Sequence, residues 1–282
     1  MPVVGEPFRV ATNLGAVTAL NNFQQKDIEV QNLRRISATG LKLNEYSDNP
    51  SNFKMSDGIN ARTRGLAVAL DNVATARNIL LTGESSLKEI QDILLKVKEL
   101  TTLAANDTLG DLDRTTISQT IAGLTNEIDD VVAETLGSER RLLDGSYVNI
   151  SYQTGEKTTS TFRVDIAQDH RALGLGIDAP NVADKVFTTA DSRGSMTKVD
   201  QALELVGRSL EAIGAYVVRL NVQEETLAVE VVNSKAANSR IKDADMAQTQ
   251  MDSTRMEIIQ HASRTQLVQA MLMPQKVMAL FN

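Results

Sequence analysis

The sequence has no cysteine and no tryptophan, and aromatic side chains make up only 4% of its 282 residues. The absence of cysteine excludes disulfides and thiolate metal sites. Only five residues are proline, so long helices can run without interruption. A core with few aromatic residues, rich in Leu, Val, Ile and Ala, suits helices packed at regular spacing better than a globular enzyme. We therefore expect a mainly α protein.

The charge and hydropathy patterns exclude two classes of partner. The formal net charge is −7, whereas nucleic-acid binding requires a basic footprint, so we expect no nucleic-acid partner. No apolar run approaches the ~20 residues of a membrane span, so we expect no membrane insertion. The start "MPVVGEPFRV" is too short and mixed for a signal peptide with its charged and apolar regions. These features alone predict a cytosolic protein, although export routes without a cleavable signal leave no such mark.

The clearest periodic signal is a heptad repeat from Leu66 to Ala104, with six consecutive a/d pairs. A second series with gaps of three and four lies in the C-terminal part. Narrow stripes of this kind need partners, and the two series can supply each other, as a long antiparallel coiled coil or as an ordinary helical bundle. The residues that we predict for this core are Leu66, Val73, Leu80, Leu87, Ile90, Leu94, Val97, Leu203, Val206, Leu210, Ile213, Val217 and Leu220.

The pattern changes at the midpoint of the chain. The segment "SYVNISYQTGEKTTSTFRVDI" alternates apolar and polar residues on either side of Thr154-Gly155. A period of two around a glycine turn predicts a β-hairpin. We place this insertion near residues 146–190.

The two ends form amphipathic helices of imperfect pattern, with apolar residues on more than one side. Such a helix is marginal alone and becomes stable when it is surrounded. A chain that runs out and back would place the two ends side by side, so we predict that they pair. The apolar positions on which this prediction depends are Val17, Leu20, Phe23, Val30, Leu33, Ile36, Met256, Ile259, Met273, Val277, Leu280 and Phe281.

No constellation of residues indicates catalysis. The two histidines, His170 and His261, stand far apart and have no second ligand at metal-binding spacing, so we interpret both as structural or surface residues. The "LGLG" at Leu173–Gly176 lacks the third glycine and the strand–helix context of a dinucleotide fingerprint. We expect no enzyme activity, no metal and no cofactor.

Several motifs, in one order and with compatible spacing, resemble bacterial flagellins. They are "VATNLGAVTALNN", "NLRRISATGLKLNEYSDNPSNFKMSDGI", "LLKVKELTTLAAND", "LTNEIDDVVAETLGSERRLLDGS" and the C-terminal "NSRIKDADMAQTQMDSTRMEIIQHASRTQLVQAMLMPQKVMALFN". The hairpin region "QTGEKTTSTFRVDI…ALGLGI" is also similar. The resemblance covers nearly the whole chain, as a short form without the large variable outer domain that many flagellins carry.

The resemblance implies a filament subunit that transmits torque for swimming. The inner, filament-core domain would be residues 1–46 and 235–282, with the terminal apolar residues named above buried by neighbouring subunits. Residues 47–234 would form the coiled-coil domain with its hairpin. The resemblance further implies a homo-polymer, type III export to an extracellular flagellum without a cleaved signal, and an export chaperone, a cap protein and hook-junction proteins as partners.

Two departures from the flagellin pattern leave alternatives open. Many flagellins lack Pro50 of "SDNPSNF", and this Asp-Asn-Pro element resembles the hook–filament junction protein. The tail with Pro274 favours flagellin instead. In flagellins bound by the innate flagellin receptor, arginines occupy positions that are Lys96 and Lys98 here, beside the retained Glu99 and Leu100. Lysine lacks the planar fork of arginine. The segment is therefore either a weakened receptor contact or, as we favour, a solvated helix face.

Overall fold

The protein is described from a computed structural model, which covers residues 13–137 and 139–278. Long helices dominate it, and the predicted mainly α fold class is confirmed. The helices are α1 (Leu14–Thr39), α2 (Pro50–Ala104), α3 (Asp111–Glu134), α4 (Ala172–Leu175), α5 (Thr189–Lys242) and α6 (Met246–Met278). The strands are β1 (Leu136–Gly137), β2 (Arg140–Arg141), β3 (Tyr147–Gln153) and β4 (Thr161–Ile166), and a 3₁₀ turn spans Ala183–Lys185.

By packing, the described chain divides into two compact units. One consists of residues 13–61 and 234–278, which include α1 and α6, and we call it the terminal unit. The other consists of residues 62–233, which include the heptad region, and we call it the bundle unit. The divisions at 61/62 and 233/234 lie inside α2 and α5, since each helix continues from one unit into the other.

The core of the bundle unit follows the seventh-residue spacing of α2. Most predicted core positions are buried, while Leu203, Leu210 and Val217 on α5 are half-buried and pack against that core. The buried members are Leu66, Val73, Leu80, Leu87, Ile90, Leu94, Val97, Val206, Ile213 and Leu220.

Two ion pairs show that α2 and α5 run antiparallel within this unit. Arg77 on α2 pairs with Glu224 on α5, and Lys98 pairs with Asp200 at 2.7 Å. From the first ion pair to the second, the residue number rises on α2 and falls on α5. The predicted antiparallel pairing of long helices is confirmed.

The predicted β-hairpin is formed by β3 and β4, which pair antiparallel with a register shift between Tyr147 and Ile150. Phe162, Val164 and Ile166 alternate along β4 as its buried residues, in agreement with the period of two. The end of the hairpin is held by both long helices. Asn72 Nδ2 on α2 donates to the Gln153 carbonyl at 3.3 Å, and Gln223 Nε2 on α5 donates to the Thr154 carbonyl at 3.4 Å.

One heptad position of α2 is a glycine for a steric reason. A Cβ atom at Gly83 would stand 2.6 Å from Leu142 Cδ2, well inside van der Waals contact. Leu142 follows β2 and is fully buried, so its side chain takes the space that a larger residue in the α2 repeat would occupy. The short β1–β2 hairpin is thereby packed into the helical core.

Candidate assembly surface of the terminal helices

Three polar contacts pair α1 with α6 in antiparallel orientation. Asn13 Nδ2 donates to the Ala270 carbonyl at 2.7 Å, at the amino end of α1. Farther along, Gln260 Nε2 donates to Asp27 Oδ1 at 2.6 Å. Near the carboxyl end of α1, Arg34 pairs with Glu257 at 2.9 Å. The predicted pairing of the N- and C-terminal helices is confirmed for the described residues.

The end of α1 is fixed by backbone hydrogen bonds to the segment between α5 and α6. Gly40 ends the helix with φ 70°, and its N–H donates to the Ile36 carbonyl at 2.8 Å. This left-handed conformation suits glycine because it has no Cβ. The Gly40 carbonyl accepts from the Ala244 N–H at 2.9 Å, and the Lys42 N–H donates to the Lys242 carbonyl at 2.7 Å.

A carboxylate orders the loop between α1 and α2. The backbone N–H groups of Glu45 and Asn44 donate to Asp48 Oδ2, at 3.0 and 2.8 Å. These two hydrogen bonds, with the nearby Arg35 guanidinium, lower the pKa of Asp48 below its ordinary value. These contacts therefore favour the ionised form of Asp48.

Pro50 has a local structural role at the start of α2. Asn49 Oδ1 accepts the Asn52 N–H at 3.0 Å, which caps the first turn. Pro50 then occupies the first helical position, where its missing N–H leaves no intrahelical hydrogen bond unmade. The Asp-Asn-Pro sequence is thus accounted for as a helix start.

Few of the described apolar side chains of the α1–α6 pair are fully buried. Val30 is the single buried residue of α1, at 1% exposure. On α6 the buried residues with described side chains are polar, Thr249 and Ser253. A helix pair with so small an apolar interior gains little stability from its own packing.

Large apolar side chains lie instead on the outside of the pair. Ile258 is 65% exposed and Met251 is 61% exposed, on a helix that has apolar residues around its whole circumference. Contiguous exposed apolar surface marks an interaction site. Among the described side chains of the pair, the exposed large apolar residues are Leu14, Val17, Leu20, Ile28, Met246, Met251, Ile258, Val268, Met271, Leu272 and Met273.

The predicted terminal residues fall into three groups. Val30 is buried; Phe23, Leu33, Ile36, Met256 and Ile259 are half-buried; and Val17, Leu20 and Met273 are exposed. Val277 lies in α6, but its side chain, Leu280 and Phe281 lie outside the described residues.

A groove of 560 Å³ lies between the two helices. Leu33, Met256 and Ile259 supply its apolar lining. Glu29, Asn32, Asp252 and Arg255 supply polar groups around them. A groove of this composition can accept an amphipathic helix.

The segment compared with the receptor contact lies on the bundle unit. Lys96 and Glu99 are exposed on α2, and Leu100 is half-buried against the core. Lys98 is held by its ion pair with Asp200 at 2.7 Å. The exposed charges therefore fit either interpretation of this helix face.

His170 is fully buried in the bundle unit, where sequence analysis placed a loop. Its Nε2 lies 2.8 Å from Ser209 Oγ on α5, and its Nδ1 lies 3.3 Å from the Leu143 carbonyl oxygen. Burial lowers the pKa of His170 below its ordinary value. The contacts join the segment before α4 to α5, which is a structural role. His261 is exposed on α6.

Within residues 13–137 and 139–278, no group of three or more His, Cys, Asp or Glu side chains is arranged to hold a metal ion. Over the same ranges, no helix combines the length and the apolar character that crossing a bilayer requires.

Two family models match this chain. The bacterial flagellin N-terminal helical region matches residues 10–148, and the bacterial flagellin C-terminal helical region matches residues 196–281. Flagellin of Bacillus subtilis is 30% identical, over 97% of this chain and 100% of that protein. The chain belongs to the bacterial flagellin family.

Other relatives of this flagellin-family chain also match over nearly their full length. The flagellar filament 41 kDa core protein of Borreliella burgdorferi is 24% identical, over 94% of this chain and 98% of that protein. A solved structure assigned to a flagellar hook-associated protein of Vibrio parahaemolyticus is 14% identical, with a TM-score of 0.60 over 70% of this chain and 100% of that one. The last comparison shows a shared fold alone.

Proposed function

We propose that the chain is the repeating subunit of a bacterial flagellar filament, with a structural and not a catalytic role. The observation that carries the proposal is the α1–α6 pair, in which one described apolar side chain, Val30, is fully buried and eleven large apolar side chains are exposed. Relatives over nearly the full chain are named flagellins and filament core proteins. Further copies of the same chain are the partners that would cover this surface.

The exposed side chains of α6 can supply the free energy of assembly. Burying a Leu, Ile or Met side chain contributes ~1.5–3 kcal/mol. Ile258, Met271 and Leu272 are 44–65% exposed in the single chain, so each retains apolar area that a neighbouring copy can bury. We propose residues 1–46 and 235–282 as the filament core, with residues 47–234 forming the coiled-coil layer around it.

A second exposed apolar strip supports contacts between copies in the bundle unit as well. Val218, Val222, Val229 and Val232 follow one another on α5 at intervals of four, seven and three residues. This spacing keeps them on one helix face, and each is 54–64% exposed. β-branched side chains lose little conformational freedom on packing, which suits a permanent contact.

The test of the proposal is filament growth with the apolar surface of α6 made polar. We would compare the unmodified full chain with the double variant Ile258→Asp and Met271→Asp. The matched control is Leu112→Asp with Leu173→Asp, whose apolar side chains are 80% and 73% exposed in the bundle unit. Each preparation is seeded, then followed by sedimentation and negative-stain electron microscopy, with circular dichroism to verify equal helix content.

We expect filaments from the unmodified chain and from the control, and none from the α6 variant, because burying an unpaired carboxylate costs several kcal/mol. Equal growth of both variants would remove the α6 surface from the mechanism. Absence of filaments from every preparation, the unmodified chain included, would favour the alternative function, a hook–filament junction protein.

The finer parts of the proposal follow from the same role. A filament of these subunits would transmit torque for swimming, in an extracellular flagellum built by type III export without a cleaved signal. An export chaperone, a cap protein and hook-junction proteins are the proposed partners. A weakened contact of Lys96, Glu99 and Leu100 with an innate immune receptor is a further proposal, supported by the exposure of the two charged residues.

A further inference from the structure

Methionine is concentrated in one helix of the terminal unit. Six of the nine methionines of the chain lie in the 33 residues of α6. Its partner α1 contains none. Methionine is therefore enriched in α6 alone and not in both helices of the pair.

Of the α6 methionines whose side chains the structure describes, four are exposed in the single chain. They are Met246 (47%), Met251 (61%), Met271 (57%) and Met273 (55%). At 3.6 residues per turn, Met246 and Met271 point in directions about 20° apart. Met251 and Met273 point about 40° apart and lie on a different side of the helix. Their thioethers are thus presented to solvent on two sides of α6.

We propose that Met246, Met251, Met271 and Met273 are an oxidation site that controls whether the free chain can enter a filament. The oxidant is a two-electron oxygen donor of the peroxide class. The thioether sulfur attacks one oxygen of hydrogen peroxide, the O–O bond breaks, an S=O bond forms, and water leaves. Sulfur is oxidised by two electrons, and peroxide is reduced to water.

The consequence for assembly follows from the polarity of the product. Methionine is flexible and polarisable, so it fits an apolar contact that closes from several directions. The sulfoxide is polar and reversible by reductases, and it disrupts Met-rich interfaces. Assembly would cover these sulfurs, so oxidation acts on the free chain before it is incorporated. This inference rests on the proposed function.

The experiment begins with the purified full chain and hydrogen peroxide as the probe. One half is oxidised, the other is left untreated, and peptide mass spectrometry maps the sulfoxides. Both halves are then added to seeds cut from untreated filaments, and growth is measured by sedimentation. The variant M246L/M251L/M271L/M273L keeps apolar side chains but cannot form sulfoxides at the four positions. M55L is the matched control, because Met55 is 50% exposed but lies on α2.

We expect oxidation to raise the critical concentration for growth at least tenfold in the unmodified chain and in M55L. The four-leucine variant should stay within twofold of its untreated value, and treatment with the two epimer-specific sulfoxide reductases should restore growth of the oxidised chain. Unchanged growth of the oxidised chain, or equal loss in the four-leucine variant, overturns the inference. Failure of the untreated unmodified chain to form filaments would overturn the proposed function. This outcome is distinct from the two that overturn the inference, because it is observed without peroxide.

A second measurement needs no variant. Sulfoxide formation at the four positions is timed in the free chain and in intact filaments. We expect it to be at least tenfold slower in filaments, because neighbouring copies cover the sulfurs. Equal rates would show that assembly leaves α6 exposed, and would overturn the inference.

Discussion

Asn13 and Ala270 are joined by a hydrogen bond of 2.7 Å across 257 positions of sequence. The same Asn13 side chain also accepts the Ala16 N–H at 2.9 Å and thereby caps α1. One amide group thus uses its oxygen to begin α1 and its nitrogen to bind α6.

Substitution of Asn13 can separate these two roles. Asn13→Ala removes both, and we expect it to destabilise α1 by about 1 kcal/mol for the cap, with about 0.5–1.5 kcal/mol more for the hydrogen bond. Asn13→Asp keeps the capping oxygen and loses only the donor, so it should cost less. Amide hydrogen exchange in the first turn of α1 is the measurement. Equal protection in the two variants would contradict a capping role.

His170 makes stability depend on pH. Its pKa is lowered by burial, so the unfolded chain binds this proton more readily than the folded chain does. The stabilisation is present above the ordinary pKa of about 6.5 and is lost as pH falls toward the lowered value, at up to about 1.4 kcal/mol per pH unit. His170→Gln should flatten the profile between pH 7 and 5, measured by denaturant unfolding.

The control for that profile is His261→Gln, since His261 is exposed on α6. We expect the variant to follow the unmodified chain over this range. The neighbouring Asp169 carboxylate affects stability only at lower pH, because the hydrogen bond from Arg171 lowers the pKa of Asp169 below its ordinary value. If the free energy of unfolding of His170→Gln fell with pH as steeply as that of the unmodified chain, burial of the imidazole would not be the cause of the loss of stability between pH 7 and 5.

Gly83 and Gly123 provide a matched pair of helical glycines. In Gly83→Ala the new methyl group would meet Leu142 at 2.6 Å, so we expect a net loss of about 1–3 kcal/mol from overpacking. Nothing lies within 4 Å of a Cβ at Gly123, which is exposed on α3. Gly123→Ala should therefore gain about 0.5–1 kcal/mol from helix propensity. Thermal unfolding of both variants tests whether the two substitutions change stability in opposite directions.

Arg114 is 5% exposed and donates to backbone carbonyls at the end of the bundle unit. Its guanidinium binds the carbonyls of Ala104, Asn106 (2.8 Å) and Val186 (3.2 Å). Arg114→Met leaves these acceptors without the donor, and we expect a loss of about 3 kcal/mol or more in unfolding free energy.

The comparison for Arg114→Met is Arg208→Met, because Arg208 is 67% exposed and pairs along its own helix with Glu204. Exposed i,i+4 pairs contribute about 0.3–0.5 kcal/mol. Similar losses in the two variants would mean that the buried hydrogen bonds of Arg114 add no stability.

Periodicity predicted the parts of the fold where one helix or strand face is buried. The seven-residue spacing from Leu66 to Val97 and the alternation from Phe162 to Ile166 both correspond to buried residues in the structure. In each case the period of the element and the buried face coincide, so the pattern of apolar residues is visible in the sequence.

Periodicity did not predict the buried polar residues. Arg114 and His170 are buried by contacts with carbonyls and a hydroxyl that are distant in sequence, and no local pattern records such partners. The β1–β2 hairpin has two residues per strand, too few to show alternation. For the terminal helices, the lack of a single apolar face indicated that one partner helix does not cover them, and the exposed Ile258 and Met271 agree.

The pairing of α1 with α6 has a consequence for the order of folding during synthesis. Contacts between distant parts of a chain form late, because the intervening segment must first be made and ordered. At about 5–20 residues per second, the roughly 200 residues between Thr39 and Met246 take on the order of 10–40 s to translate. During that time α1 has been made and its antiparallel partner α6 has not. A nascent chain therefore cannot yet present the complete terminal unit to other copies.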